Sequence, residues 1–178
     1  VAPAALIYHD RVRSSSIAMV MVASLVAGCA AHTPIEQRTT QGPSAYQLWS
    51  LRMATHLGRE PNFDERRHFD DELETRITRY LNEHPEDANA LNVSTFRFAR
   101  RVSVGMSGEQ VAILLGTPLG RTTDPGELQK RARKFWPDIK DRAREGWAYP
   151  LGWTVYFDDE QRVVDITQFH AVGGADNS

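Results

Sequence analysis

The hydropathy of this chain changes period once, and that change restricts the fold more than any other feature. Up to Gly116 apolar residues tend to recur three or four apart; beyond Trp147 they alternate. Trp153, Val155 and Phe157 alternate with Thr154 and Tyr156. Asp158 to Gln161 then read as a turn, and Val163, Asp165, Thr167 and Phe169 alternate with Val164, Ile166 and Gln168. A period of two belongs to strands. Pro150 and Gly152 supply a turn after an earlier strand holding Trp147 and Tyr149, so the stretch predicts a three-stranded antiparallel meander. Helices first and strands after predict an α+β fold: helices packed on a three-stranded antiparallel sheet, preceded by an extra N-terminal helical segment over 45–100.

The helices carry their own punctuation. Tyr46, Trp49, Met53 and Leu57 form one stripe ended by Gly58. A second helix begins near Asp64, with Phe69, Leu73, Ile77, Tyr80 and Leu81 on one face and mixed charges on the other, and Pro85 closes it. Glu86 to Arg100 predicts a third helix with Ala88, Leu91, Phe96 and Ala99 on one side; a strand over Val93 to Phe98 is the competing reading. From Val104 the signals are densest. Ser107 is an N-cap with Gln110 as its capping-box partner, and Met106 and Val111 are placed as a hydrophobic staple. Val111, Leu114 and Leu115 give the buried stripe, Gly116 stops the helix and Pro118 prevents its continuation.

At the other end of the chain, Arg11 and Arg13 precede an apolar run of eleven residues from Ile17 to Ala27, and Val26-Ala27-Gly28 lead into Cys29, the single cysteine. The run is short of the ~20 residues that a spanning helix needs. The segment resembles the bacterial lipobox, whose small residues let a peptidase close on the backbone. The resemblance implies a signal peptide over 1–28, cleavage before Cys29 and attachment of palmitate-type acyl chains to Cys29. Several chains on one residue anchor a protein durably, whereas one gives marginal attachment. Ala30 stands where Asp would signal inner-membrane retention, which implies the outer membrane, periplasmic side. Residues 29–44, with Pro34, Gly42 and Pro43, read as a flexible tether, and 171–178 as a disordered tail.

Removing 1–28 takes away Arg11, Arg13 and Asp10 and leaves 19 basic against 22 acidic residues. That mixed balance lacks the basic excess of a nucleic-acid binder, so no nucleic acid is expected as a partner. With Cys29 acylated no thiol remains for a disulfide, and packing alone must hold the domain together.

Val104-Gly-Met-Ser107, Gln110-Val111, Leu115-Gly-Thr-Pro118, Trp147-Ala-Tyr149, Val155-Tyr-Phe157 and Val163-Val164 together resemble the BamE family, the SmpA/OmlA-type outer-membrane lipoprotein domain, over residues 101–170. The resemblance implies two helices on a three-stranded sheet, no catalysis and no cofactors. It also implies partners among envelope proteins, outer-membrane assembly subunits included. Residues 45–100 exceed the family's short lead-in, and 119–146 form an insertion.

Chemistry-bearing spacings are scarce. His9, His32, His56, His68, His84 and His170 include no helical pair, so no metal site is expected. His68 with Asp71 and Glu72 reads as a solvated face, and Asp158-Asp159-Glu160 as a hairpin turn. Ser107 is committed as a cap rather than a nucleophile. In the insertion, Leu128, Ala132, Phe135, Trp136, Ile139 and Ala143 recur at helical spacing among basic residues, with Pro137 expected to break the helix after Trp136. Lys130, Arg131, Arg133, Lys134, Phe135 and Trp136 are therefore the candidate interaction surface. An interfacial helix on anionic lipid is one reading. Coverage of the domain core, with Asp138, Asp141 and Glu145 diluting the charge, is the favoured one. The expected function is a non-catalytic interaction module in envelope assembly or integrity, with an inhibitor of an envelope hydrolase, working through an exposed sheet face, as the alternative.

Overall fold

The computed structural model describes residues 35–170; Cys29 and the expected signal peptide and tail lie outside the described residues. The chain is α+β with an antiparallel sheet, but the sheet has five strands, in the order β1-β7-β6-β5-β4. The expected meander forms its centre: β5 Glu145–Tyr149, β6 Trp153–Phe157 and β7 Val163–His170. Both additional strands come from segments given other roles above. β1 (Ile35–Thr39) pairs with β7, and β4 (Gly120–Thr122), from the insertion, pairs with β5. A further strand, β2 (Gln41–Ser44), pairs with β3 (Arg101–Ser103) in a separate ribbon. Residues 35–44 are thus strand rather than tether. Their polar composition misleads because β1 is an edge strand, largely exposed.

The helices on one face follow their end signals. α1 (Ala45–Leu57) starts where Ser44 accepts a hydrogen bond from the Gln47 N–H (3.1 Å) and stops at Gly58, whose φ of 68° favours glycine. α2 (Phe63–Glu83) opens with a reciprocal Asn62–Glu65 capping box, and Phe69, Leu73, Ile77 and Tyr80 are its buried face. α3 (Gly108–Leu115) has the Ser107–Gln110 box, with Ser107 N–H to Gln110 Oε1 at 2.8 Å and Gln110 N–H to Ser107 Oγ at 3.2 Å. Met106 and Val111 are fully buried beside it. These helices join Trp147, Val155, Phe157 and Ile166 in one apolar cluster, so 45–100 is part of the domain core and not a separate appendage. Trp49 stacks on Phe69 (4.4 Å), and Arg52 of α1 reaches the Leu115 carbonyl at the end of α3 (2.6 Å).

The third predicted helix is replaced by short turns. A 3-10 turn at Asp87–Asn89 and a wide helical turn at Thr95–Ala99, led into by helical Val93 and Ser94, stand in its place. Of the expected stripe only Phe96 is buried; Ala88, Leu91 and Ala99 face solvent. Arg100, at φ 48°, ends the segment and turns the chain into β3.

The opposite face of the sheet is covered by the insertion. α4 (Pro125–Ala132), a 3-10 turn and α5 (Trp136–Ile139) bury Leu128, Ala132, Ile139 and Ala143 against Tyr156. Gly146 in β5 permits the approach, since a Cβ there would stand 2.8 Å from Leu128 Cδ2. The helix break falls earlier than expected. α4 ends at Ala132, Arg133 adopts φ 49°, and Pro137 sits in the first turn of α5, where its missing N–H costs nothing. With layers on both sides every residue of β6 is buried, so among the described residues the centre of the sheet presents no open face.

Candidate interaction surface

Five of the insertion's basic residues fall into two sets; Arg121, over the Trp147 ring at 3.9 Å, exposed Lys140, and Arg144, bonded to the Ala143 and Asp141 carbonyls, stand apart. Lys130 pairs with Glu127 (2.6 Å), Lys134 with Glu36 of β1 (3.1 Å), and Arg142 with Asp165 (3.0 Å). Asp165, 3 % exposed, also receives Arg38 in a two-pronged bond (3.0 and 2.8 Å), and Asp138 takes that guanidinium's remaining arm at 3.2 Å. The Lys130 pair is internal to α4, whereas the Lys134, Arg38 and Arg142 pairs tie the 133–142 segment to β1 and β7. Phe135 and Trp136 are half-buried on the same layer, with Phe135 5.9 Å from Phe169. They cover core, as the favoured reading expected.

Arg131 and Arg133 form the second set. They line a cleft of about 600 Å³ at the end of the sheet, with Leu119, Leu151, Phe169 and His170 among its other walls and no carboxylate among them. The Arg133 guanidinium lies over the Phe169 ring at 4.6 Å, a cation–π contact that leaves its N–H groups available. Arg131 Nε is buried without a hydrogen-bond partner among the described residues. The cleft floor is closely packed. Gly152, at φ 73°, presses so close to β7 that a Cβ would overlap the Phe169 carbonyl oxygen, and Leu151 beside it is held at φ 61°. Chemically, the surface can bind an anion with an apolar part.

Of the six residues named from the sequence, only Arg131 and Arg133 line this cleft; Lys130 and Lys134 are paired off, and the two aromatics pack inward. Leu119, 75 % exposed, and His170 were missed. No local pattern marks them; the strand register alone brings them together.

A second cleft, of about 490 Å³, lies where α2, α3 and the hairpin after β6 meet. Tyr80 donates to the buried carboxylate of Asp87, which Arg162 also reaches at 3.3 Å. Its single proton being spent there, the Ser107 hydroxyl donates to the Tyr80 oxygen (3.1 Å). Burial, with Asp87 assisting, pushes the Tyr80 phenol up to about 12. His84 stacks on Tyr80 (4.4 Å) and turns its nitrogens to Glu86 and Glu109 (3.2 and 3.7 Å), so no base contacts Ser107. The network ties α2 to the cap of α3. Elsewhere His68 meets Glu72 on an exposed helix face (3.2 Å), and Asp158 Oδ1 accepts the Glu160 and Arg162 N–H groups of a hairpin turn. His9 and His32 lie outside the described residues. No group of three metal-capable side chains occurs among the described residues, and no helix there is long and apolar enough to cross a membrane.

No protein-family model matches the chain, and no curated protein and no solved structure matches it either. The likeness to BamE therefore rests on the quoted motifs alone.

Proposed function

We propose that this chain is an outer-membrane lipoprotein, anchored on the periplasmic side through acyl chains on Cys29, whose domain is a non-catalytic interaction module in outer-membrane protein assembly or envelope integrity. The cleft of Arg131 and Arg133 carries the interaction reading: two guanidiniums without carboxylate partners beside exposed Leu119 make a surface suited to holding a partner. The Val-Ala-Gly-Cys29 segment supports the anchor, and the capped helix with its meander supports the family likeness.

The test has two readouts in intact cells. Metabolic labelling with a fatty-acid analogue should mark wild type and leave Cys29→Ala unmarked and unprocessed. Crosslinking and mass spectrometry should recover barrel-assembly subunits with the wild-type protein. Equal labelling of the variant would remove the anchor. Capture of an envelope hydrolase, inhibited stoichiometrically by the purified chain, would replace the assembly role with inhibition.

A further inference from the structure

The strand register gathers several unlike features at one end of the sheet. Ile35 stands opposite His170, and Glu36 opposite Phe169. Across the sheet, Gly120 stands opposite Ala148, Ala148 opposite Thr154, and Thr154 opposite Thr167, so Leu119 and the 150–152 turn lie at this same end. Arg133 over Phe169 and Lys134 bound to Glu36 hold the basic segment there too. The other end of β6 and β7 is closed by the hairpin carrying Asp158, Asp159 and Glu160. The two ends therefore differ: one carries Arg131, Arg133 and exposed Leu119, the other the carboxylates of the 158–160 hairpin together with Arg144 and Arg162.

Chain length adds a second constraint, resting on the anchor proposed above. Six residue steps separate Cys29 from Ile35, and even fully extended they span no more than about 22 Å. With acyl chains on Cys29, the end of the sheet at which β1 begins cannot move far from the lipid. We infer that this end, with Leu119, Arg131, Arg133 and His170, is the membrane-facing surface of the domain. It rests on the anionic phospholipid headgroups of the leaflet that holds Cys29.

Phosphate oxygens of the headgroups accept from the outer guanidinium N–H groups with which Arg131 and Arg133 line the cleft, and Leu119 enters the boundary between headgroup and acyl chain. The acidic hairpin points away, as repulsion from a negative surface requires. No strong intrinsic affinity is needed, because a short tether makes docking an intramolecular event at high effective concentration. The mode differs from an interfacial helix. The apolar residues of α4 and α5 are consumed by the sheet, and what meets the lipid is the rim of charged and loop residues at the sheet's end.

The experiment uses the full lipidated chain purified from membranes. With Cys29 acylated, a cysteine introduced at Gly120, where a Cβ meets nothing within 4 Å, or at exposed Asp159 is the only reactive thiol. Each is labelled with a fluorophore, and the protein is placed in phosphatidylcholine vesicles with or without roughly a third phosphatidylserine, plus a spin-labelled headgroup quencher. Quenching at position 120 should exceed that at 159 about threefold in the anionic vesicles. The ratio should fall toward one in phosphatidylcholine alone, in high salt through screening, and in the Arg131→Gln/Arg133→Gln double variant. The salt arm needs no arginine variant and so does not depend on that variant's folding. Equal quenching at both positions overturns the orientation, and an unequal ratio indifferent to salt and lipid charge overturns the contact of Arg131 and Arg133 with anionic headgroups. Mass spectrometry of the same sample separates the two readings. An acylated protein with equal quenching defeats the orientation alone, and an unmodified Cys29 defeats the anchor and the orientation with it.

Discussion

The two faces of the sheet are covered by layers of different construction. On the α1–α3 side nineteen buried apolar residues form one cluster, and each helix begins at a side-chain cap. On the α4–α5 side only five are buried, two of them alanines, and arginine–carboxylate contacts at Asp165 complete the attachment. The first layer is held by apolar area, which is insensitive to salt and neutral pH; the second leans on oriented charge. A domain without disulfides can thus concentrate its stability on one face and leave the other to present polar groups outward.

The sharpest way to break that comparison is to remove one aromatic ring from each layer. Phe96, fully buried and edge-on to Tyr80 at 5.6 Å, should cost about 3–5 kcal/mol on replacement by alanine. Phe135→Ala, in the thinner layer and half-buried, should cost under about 2 kcal/mol, since water already reaches part of the ring. Denaturant midpoints measure both. Equal losses would mean that the α4–α5 layer is as much a core as the other.

A smaller effect is expected at Asp165. Asp165→Asn keeps the shape but removes the charge that Arg38 and Arg142 share, and should cost about 1–3 kcal/mol. Both arginines remain partly hydrated, which holds the loss below that of a fully buried pair. Added salt should reduce wild-type stability more than that of the variant. If the two respond alike, charge is not what attaches this layer.

The smallest effect, a slope against pH, touches both layers. Burial pushes Tyr80 and Tyr156 up to about 12, with Asp87 reinforcing the shift at Tyr80. The folded state thus favours the neutral phenols. Their contribution is complete below the ordinary tyrosine value of about 10 and is lost as pH rises from there toward 12. Tyr156→Phe, which keeps the ring and gives up the contact with Thr167 at 3.3 Å, should flatten the alkaline decline of stability. An unchanged slope would move the alkaline sensitivity entirely to the other layer.

Legibility from sequence follows the same division. The Ser107–Gln110 box, the Gly58 and Gly116 stops, the stripe of α2 and the three central strands are written within windows of a few residues, because capping and periodicity are local. β1 failed that reading because an edge strand has little apolar periodicity to show, and β4 because three residues carry no period at all. The 86–100 segment failed because its apolar residues happen to lie at helical intervals, while only Phe96 finds a buried place. At the candidate surface, composition pointed to the insertion but not to which basic residues stay unpaired. That depends on Glu36 and Asp165, distant in sequence from the lysine and arginines they neutralise.

By itself, then, the sequence determined the local elements: where α1, α2 and α3 begin and end, which faces they bury, and that the final strands form a meander. The tertiary structure decided how far the sheet extends, that both its faces are covered, and that Arg131, Arg133, Leu119 and His170 gather at the end where β1 begins. Caps and hydropathy periods act over a few residues of chain. Strand pairing between residues 35 and 170, and the choice of partner for each arginine, are settled only when distant segments compete for the same edge and the same carboxylates.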